Sequence, residues 1–140
     1  MNVIYIATAT ATGGRSGRAE SSDGELSVKL ERPKALGGTG TGGTNPEQLF
    51  SAGYAACFAS TIDFLAKQEK LFITENKVTA HVGLVRRPEG GFALTARLDV
   101  RVLGVSADDV RKLIEKAHTI CPYSHAISGN VNVETTVIEP

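Results

Sequence analysis

The sequence carries no excess of charge of either sign, because 15 Lys plus Arg balance 15 Asp plus Glu across 140 residues. Without a basic field, nothing steers the chain to nucleic acid or to an anionic membrane surface, and polyanion binding is not expected. Long apolar runs are also missing. The longest, Leu49 to Leu65, is interrupted by Ser51, Ser60, Thr61 and Asp63 and reads as too short and too broken to span a bilayer. The first residues show no basic flank leading into an apolar stretch, so no secretory leader is expected and a cytoplasmic location is. Cysteine is scarce, two residues with no CxxC pair. In a reducing compartment such thiols are reactive or inert rather than a permanent staple. What is present is ordinary globular usage, 41% hydrophobic and 21% charged, at a length that suits one domain spanning residues 1–140.

Periodicity gives an α+β order. Val3, Tyr5, Ala7 and Ala9 alternate into Gly13-Gly14, and Leu26, Val28 and Leu30 alternate between Asp23-Gly24 and Pro33, which reads as antiparallel sheet. Asn45 as a cap, Pro46 at the first helical position and Glu47 in the first turn open a helix expected to run to about Lys67. That helix is apolar nearly all round and rich in small residues, so it is expected to be central, and it carries Cys57. A long hairpin follows, from Val78 to Arg86 and back from Phe92 to Val102. Ser106 and Asp109 then cap a second helix ending near Thr119, just before Cys121-Pro122. Tyr123 to Gly129 reads as a connection and Val131 to Val137 as a last strand.

A cysteine on an apolar helix is by default a small hydrophobe filling space. Cys57 lies too far along its helix to draw on the helix N-terminus, so an activated thiolate there needs a cation from elsewhere. Arg15, Arg18, Arg86 and Arg87 are candidates, and Arg15, framed by glycines, is the most constrained. A sulfenic acid on one cysteine condenses readily with a nearby thiol, so a Cys57 and Cys121 pair suits a redox cycle. It also suits a structural bridge or a non-enzymatic redox sensor. Metal binding by His118 and Cys121 lacks further ligands at a matching spacing. A papain-like pairing of a cysteine with His81, His118 or His125 has no accompanying protease signature. The run Gly38-Thr39-Gly40-Thr41-Gly42-Gly43 matches GxGxxG, but Asp63 falls inside the helix that the loop opens rather than after a second strand, so the match fails on context.

Three separated segments together resemble one family. They are Ala9-Thr10-Ala11-Thr12-Gly13-Gly14-Arg15, the stretch Gly43-Thr44-Asn45-Pro46-Glu47-Gln48-Leu49-Phe50 leading into Ala52-Gly53-Tyr54-Ala55-Ala56-Cys57-Phe58, and Ala117-His118 with Cys121-Pro122-Tyr123-Ser124. The chain is similar nearly end to end to the organic hydroperoxide resistance branch of the OsmC-like proteins. The resemblance implies an OsmC-like α+β fold, antiparallel sheets around two main helices, and an intertwined homodimer with its sites at the subunit interface. It implies a cysteine-based peroxidase acting on organic hydroperoxides without a bound cofactor or metal, recycled by an external dithiol such as a lipoyl group on a partner protein. Carried over by position, Cys57 is the peroxidatic cysteine, Cys121 the resolving one with which it forms a redox-active disulfide, Arg15 the thiolate-stabilising cation, and Glu47 the carboxylate that holds Arg15. His125 departs from the polar residue expected after Tyr123-Ser124 and bears on the pocket rim. Glu47 and Cys57 lie ten residues apart, roughly 15 Å along a straight helix. One guanidinium does not span that, so either the partner subunit supplies Glu47 or the helix bends near Gly53.

Overall fold

Short alternating segments and glycine turns build the N-terminal part of the molecule, and one long helix leads into the remainder. The computed structural model describes all residues, Met1 to Pro140, and the chain divides into two compact units, Met1–Leu49 and Phe50–Pro140.

In the first unit, β1 (Ala9–Thr12), β2 (Arg18–Ser21) and β3 (Ser27–Lys29) form an antiparallel sheet in that order. Thr12 faces Arg18 across a tight turn in which Gly13 and Gly14 take φ of 77° and 56°, a backbone that side-chain-bearing residues rarely adopt. The first strand begins six residues later than the alternation from Val3 suggests. β2 ends at Ser21, and only one further bond, from the Ser22 N–H to the Thr8 carbonyl, continues the ladder. Val3 to Ile6 therefore have no strand to pair with in this chain, and their side chains are exposed. Beyond β3, Leu30 is buried and bridges in parallel to Thr44, which delivers the chain to the first helix. In the glycine-rich loop, the Thr39 N–H is bound by the Glu31 carboxylate and the Gly40 N–H by the Arg32 carbonyl.

α1 runs from Pro46 to Gln68, with the Asn45 side chain accepting from the Gln48 N–H at 2.9 Å. In the second unit, β4 (Glu75–Arg86) and β5 (Phe92–Leu103) form the expected hairpin, paired from Glu75 with Leu103 to Arg86 with Phe92. α2 (Ala107–Ile120) starts at Ser106, which accepts from the Asp109 N–H at 3.1 Å. Two features differ from the sequence reading. The connection after Cys121 is a short helix, α3 (Pro122–Ile127), with Pro122 at its first position. The last strand, β6 (Val133–Val137), pairs parallel to β5, so the second sheet is mixed. The chain leaves β5, crosses through α2 and α3, and re-enters in the same direction, as a crossover requires.

The core of this unit gathers Tyr54, Phe58 and Ile62 of α1, Leu98 and Val100 of β5, and Leu113 of α2. By length and composition α1 is long and apolar enough to cross a membrane, which corrects the reading of Leu49 to Leu65 as too broken. Hydroxyl side chains interrupt such a helix at little cost because the backbone satisfies them. The Thr61 hydroxyl donates to the Cys57 carbonyl at 2.9 Å. Here one stripe of the helix, Tyr54, Phe58, Thr61, Ile62, Leu65 and Ala66, is buried in this chain, so α1 is covered on fewer sides than its small-residue composition suggests.

Candidate active site

Within the second unit α1 carries Cys57 half-buried against the core, and the α2 to α3 junction carries Cys121 with no exposure. The two sulfurs, 64 residues apart in sequence, lie 3.8 Å from each other as free thiols. Cys121 has extended backbone between two helices, as a residue before proline favours, and this turns its side chain inward. Burial pushes the Cys57 thiol above its ordinary value. A hydrogen bond from the Tyr123 backbone N–H pulls the other way, and the neighbouring Cys121 raises it again. Left to these neighbours alone, Cys57 is mostly protonated at neutral pH, so a nucleophilic Cys57 requires a further positive charge.

The first unit holds the other two sequence-predicted residues together. The Arg15 guanidinium donates from both terminal nitrogens to the two oxygens of Glu47, at 2.7 and 2.6 Å, a bidentate pair within one chain. The side chains are 29% and 16% exposed. This hydrogen bond holds the Glu47 carboxyl below the ordinary carboxylate range and makes Arg15 still harder to deprotonate. α1 continues through Gly53 without interruption. Each of the other candidate cations is engaged elsewhere. Arg18 pairs with Glu20 and Ser27, Arg87 with Glu89, and Arg86 lies over the Phe92 ring at 5.3 Å.

Aromatic residues line the thiols' neighbourhood. Tyr123 stacks on Tyr54 with centroids 5.8 Å apart and meets Phe50 edge-on at 5.7 Å. Its hydroxyl end lies over Gly53, where an added Cβ would collide with that oxygen. Tyr54 and Ser124 share a buried hydrogen bond of 2.8 Å, and Ser124 continues to His118 Nδ1 at 3.3 Å. Burial pushes the Tyr54 hydroxyl up and the His118 imidazole down, so both are neutral at pH 7. Sequence reading named no role for Tyr54, Tyr123 or Ser124, and named Gly53 only as the place of a bend. The usable signals were a tyrosine inside an apolar helix and a glycine one turn before the cysteine. No cluster of three or more His, Cys, Asp or Glu is placed to hold a metal ion.

Comparison with known proteins follows the same lines. The profile of the OsmC-like protein family matches residues 38–136, across both compact units. An organic hydroperoxide resistance protein of Xanthomonas axonopodis pv. citri is 48% identical over 136 residues, covering 96% of this chain and 95% of its own. Organic hydroperoxide resistance protein OhrA of Bacillus subtilis is 42% identical over 142 residues, covering 97% of each. The crystal structure of an organic hydroperoxide resistance protein from Legionella pneumophila superposes with a TM-score of 0.94 at 43% identity, covering 99% of this chain and 100% of its own. The chain thus belongs to the OsmC-like family and has the OsmC-like fold, within the branch whose members bear the name organic hydroperoxide resistance protein.

Proposed function

We propose that this protein is a thiol-dependent peroxidase that detoxifies organic hydroperoxides in the reducing cytoplasm, with Cys57 as nucleophile and Cys121 as resolving thiol. The observation that carries this reading is the approach of two free thiols to 3.8 Å, one half-buried and one fully buried, beside an aromatic cluster. The names of the relatives support the substrate class.

The chemistry balances without a bound metal or flavin. The Cys57 thiolate attacks one peroxide oxygen, the S–O bond forms as the O–O bond breaks, and the leaving alkoxide takes a proton to depart as the alcohol. A sulfenic acid remains on Cys57. The Cys121 sulfur attacks it, the S–S bond forms, and water leaves. The sulfurs must close by about 1.8 Å to reach the usual bond length, a small shift at the start of α3. An external dithiol, of which a lipoyl group on a partner protein is the proposed form, then opens the disulfide by exchange and leaves oxidised.

The cation that Cys57 lacks is assigned to Arg15, which Glu47 holds in one orientation. Arg15 is locked to the first turn of α1, whereas Cys57 lies ten residues along that helix. We therefore assign the Arg15–Glu47 pair to the Cys57 of a second copy in an intertwined homodimer. The apolar, aromatic surroundings of Cys57 favour alkyl and lipid hydroperoxides over hydrogen peroxide.

The test is consumption of cumene hydroperoxide by the purified protein with dihydrolipoamide as reductant. Turnover should fall by at least about 10³-fold in Cys57→Ser, as loss of a nucleophile does. Cys57→Ser turning over as fast as the unaltered protein would remove Cys57 from the mechanism, and equal efficiency on hydrogen peroxide would remove the substrate preference.

A further inference from the structure

The paired thiols are placed to do more than close on each other. Cys57 of α1 and Cys121 at the α2 to α3 junction are both free, with their sulfurs 3.8 Å apart. Two thiols at that separation form a preplaced pair of soft donors, and soft centres choose thiolate over nitrogen or oxygen ligands. A centre that needs three or four protein ligands is not served here, because no cluster of three or more His, Cys, Asp or Glu surrounds the pair. The centre that fits is one that brings its own third substituent. Trivalent arsenic carrying one carbon group needs two sulfurs and no more.

Distance favours it as well. Thiolate sulfur bonds a centre of this size at about 2.3 Å, much as it bonds zinc, and two such bonds near a right angle place the sulfurs about 3.2 Å apart. The pair then closes by about 0.6 Å, against about 1.8 Å for a disulfide. The reduced site is nearer in shape to the arsenic chelate than to the disulfide. Its surroundings select the carbon group. Cys57 is partly exposed and Cys121 fully buried, so arsenic meets Cys57 first and reaches Cys121 from there. Phe50, Gly53 and Cys57 recur at spacings of three and four on α1 and share one face of it. Tyr123 lies over Gly53 and meets Phe50 edge-on at 5.7 Å. This aromatic wall stands one helical turn, roughly 6 Å, along the axis from Cys57, within reach of a ring carried on arsenic bound there. Aryl groups gain from edge-on and offset contacts with such a wall.

We propose that the reduced protein is a bidentate receptor for monosubstituted trivalent arsenicals, aryl ones above all, held through Cys57 and Cys121. With phenylarsine oxide, both S–H bonds and the As–O bond break, two As–S bonds form, and the oxygen leaves as water with the two thiol protons. Arsenic stays trivalent, so no oxidant or reductant is consumed. A monothiol must displace both sulfurs to release it, and chelation by two preplaced groups resists that by about 10²-fold or more. This activity goes beyond the peroxidase reading and does not depend on it, since it uses the two thiols as they stand before any peroxide arrives.

The test adds one equivalent of phenylarsine oxide to freshly reduced protein without peroxide and reads intact-protein mass. The unaltered protein should gain one phenylarsenic group less two hydrogens. An adduct held by one thiol keeps a hydroxyl on arsenic and is heavier by one water, which is the mass expected for Cys57→Ser and Cys121→Ser. Under a glutathione challenge the unaltered protein's adduct should last at least about 10²-fold longer than those of the two variants. Binding to the folded state should also raise the thermal midpoint of the unaltered protein, a readout that stands even if Cys121→Ser does not fold. Inorganic arsenite, which lacks the carbon group, should be lost to glutathione faster. The extra water on the unaltered protein, equal lifetimes in all three proteins, an unmoved midpoint, or arsenite held as long as phenylarsine oxide would each overturn the proposal.

Discussion

Arg15 sits in a turn that only the preceding glycines permit, and both ends of its guanidinium are taken by one carboxylate. A lysine there keeps the charge and loses the fork, so it cannot be held in the same way. Arg15→Lys should lower kcat/KM for cumene hydroperoxide by about 10²-fold, the usual cost of a misplaced catalytic group, with little change in thermal midpoint. An unchanged kcat/KM would show that only net charge matters. Gly53 makes a separate claim. Replacing a helical glycine by alanine ordinarily stabilises by about 1 kcal/mol. Here the new Cβ would strike the Tyr123 ring, which Phe50 and Tyr54 prevent from moving aside. Gly53→Ala should therefore lower the urea midpoint, and a raised midpoint would mean that the ring is not seated as described. Arg15 stood out in the sequence as the most constrained cation, but its pairing with Glu47 was legible only through the resemblance, because no spacing rule links positions 32 residues apart. Gly53 was legible only as one of the small residues that let a neighbour approach α1, and that neighbour, Tyr123, was not, since it lies beyond two strands and a helix.

Local chemistry was legible wherever an element announces its own ends. Asn45 and Ser106 cap α1 and α2 as their side chains suggest, and alternation places β4 and β5 to within a few residues. β6 was found as a strand, but its parallel pairing with β5 is a tertiary choice that alternation cannot express. α3 was missed because a six-residue helix after Cys121-Pro122 carries too little periodicity to be seen. At this scale His118 gives a pH prediction. Burial lowers its pKa below the ordinary 6.5, so as pH falls the unfolded chain takes up the proton first. The stability from a neutral His118 is fully present above 6.5 and is lost as pH falls through the folded value. Urea midpoints should therefore fall over that acid window in the unaltered protein and fall less in His118→Phe. Equal slopes for the two would show that His118 does not titrate between the folded and unfolded states.

At the scale of the whole molecule, balanced charge offered no attraction for a polyanion, composition matched that of a globular chain, and family membership supplied the fold. The proposed homodimer makes a prediction that no single chain can satisfy. Arg15→Ala and Cys57→Ser each remove one half of the site and should each be inactive alone. If Arg15 of one protomer serves Cys57 of its partner, unfolding and refolding the two variants together forms mixed dimers with one intact site each, restoring up to about half the normal activity per mixed dimer. No recovery would place Arg15 and Cys57 of the same chain in one site. The central claim, that peroxide oxidises Cys57 and that Cys121 resolves it, is tested most directly by intact-protein mass after one equivalent of cumene hydroperoxide. Cys121→Ser should gain one oxygen atom, trapped as a sulfenic acid at Cys57, whereas the unaltered protein should lose two hydrogens as the Cys57 to Cys121 disulfide forms. An unaltered mass in both proteins, or oxygen added at a residue other than Cys57, would contradict the mechanism.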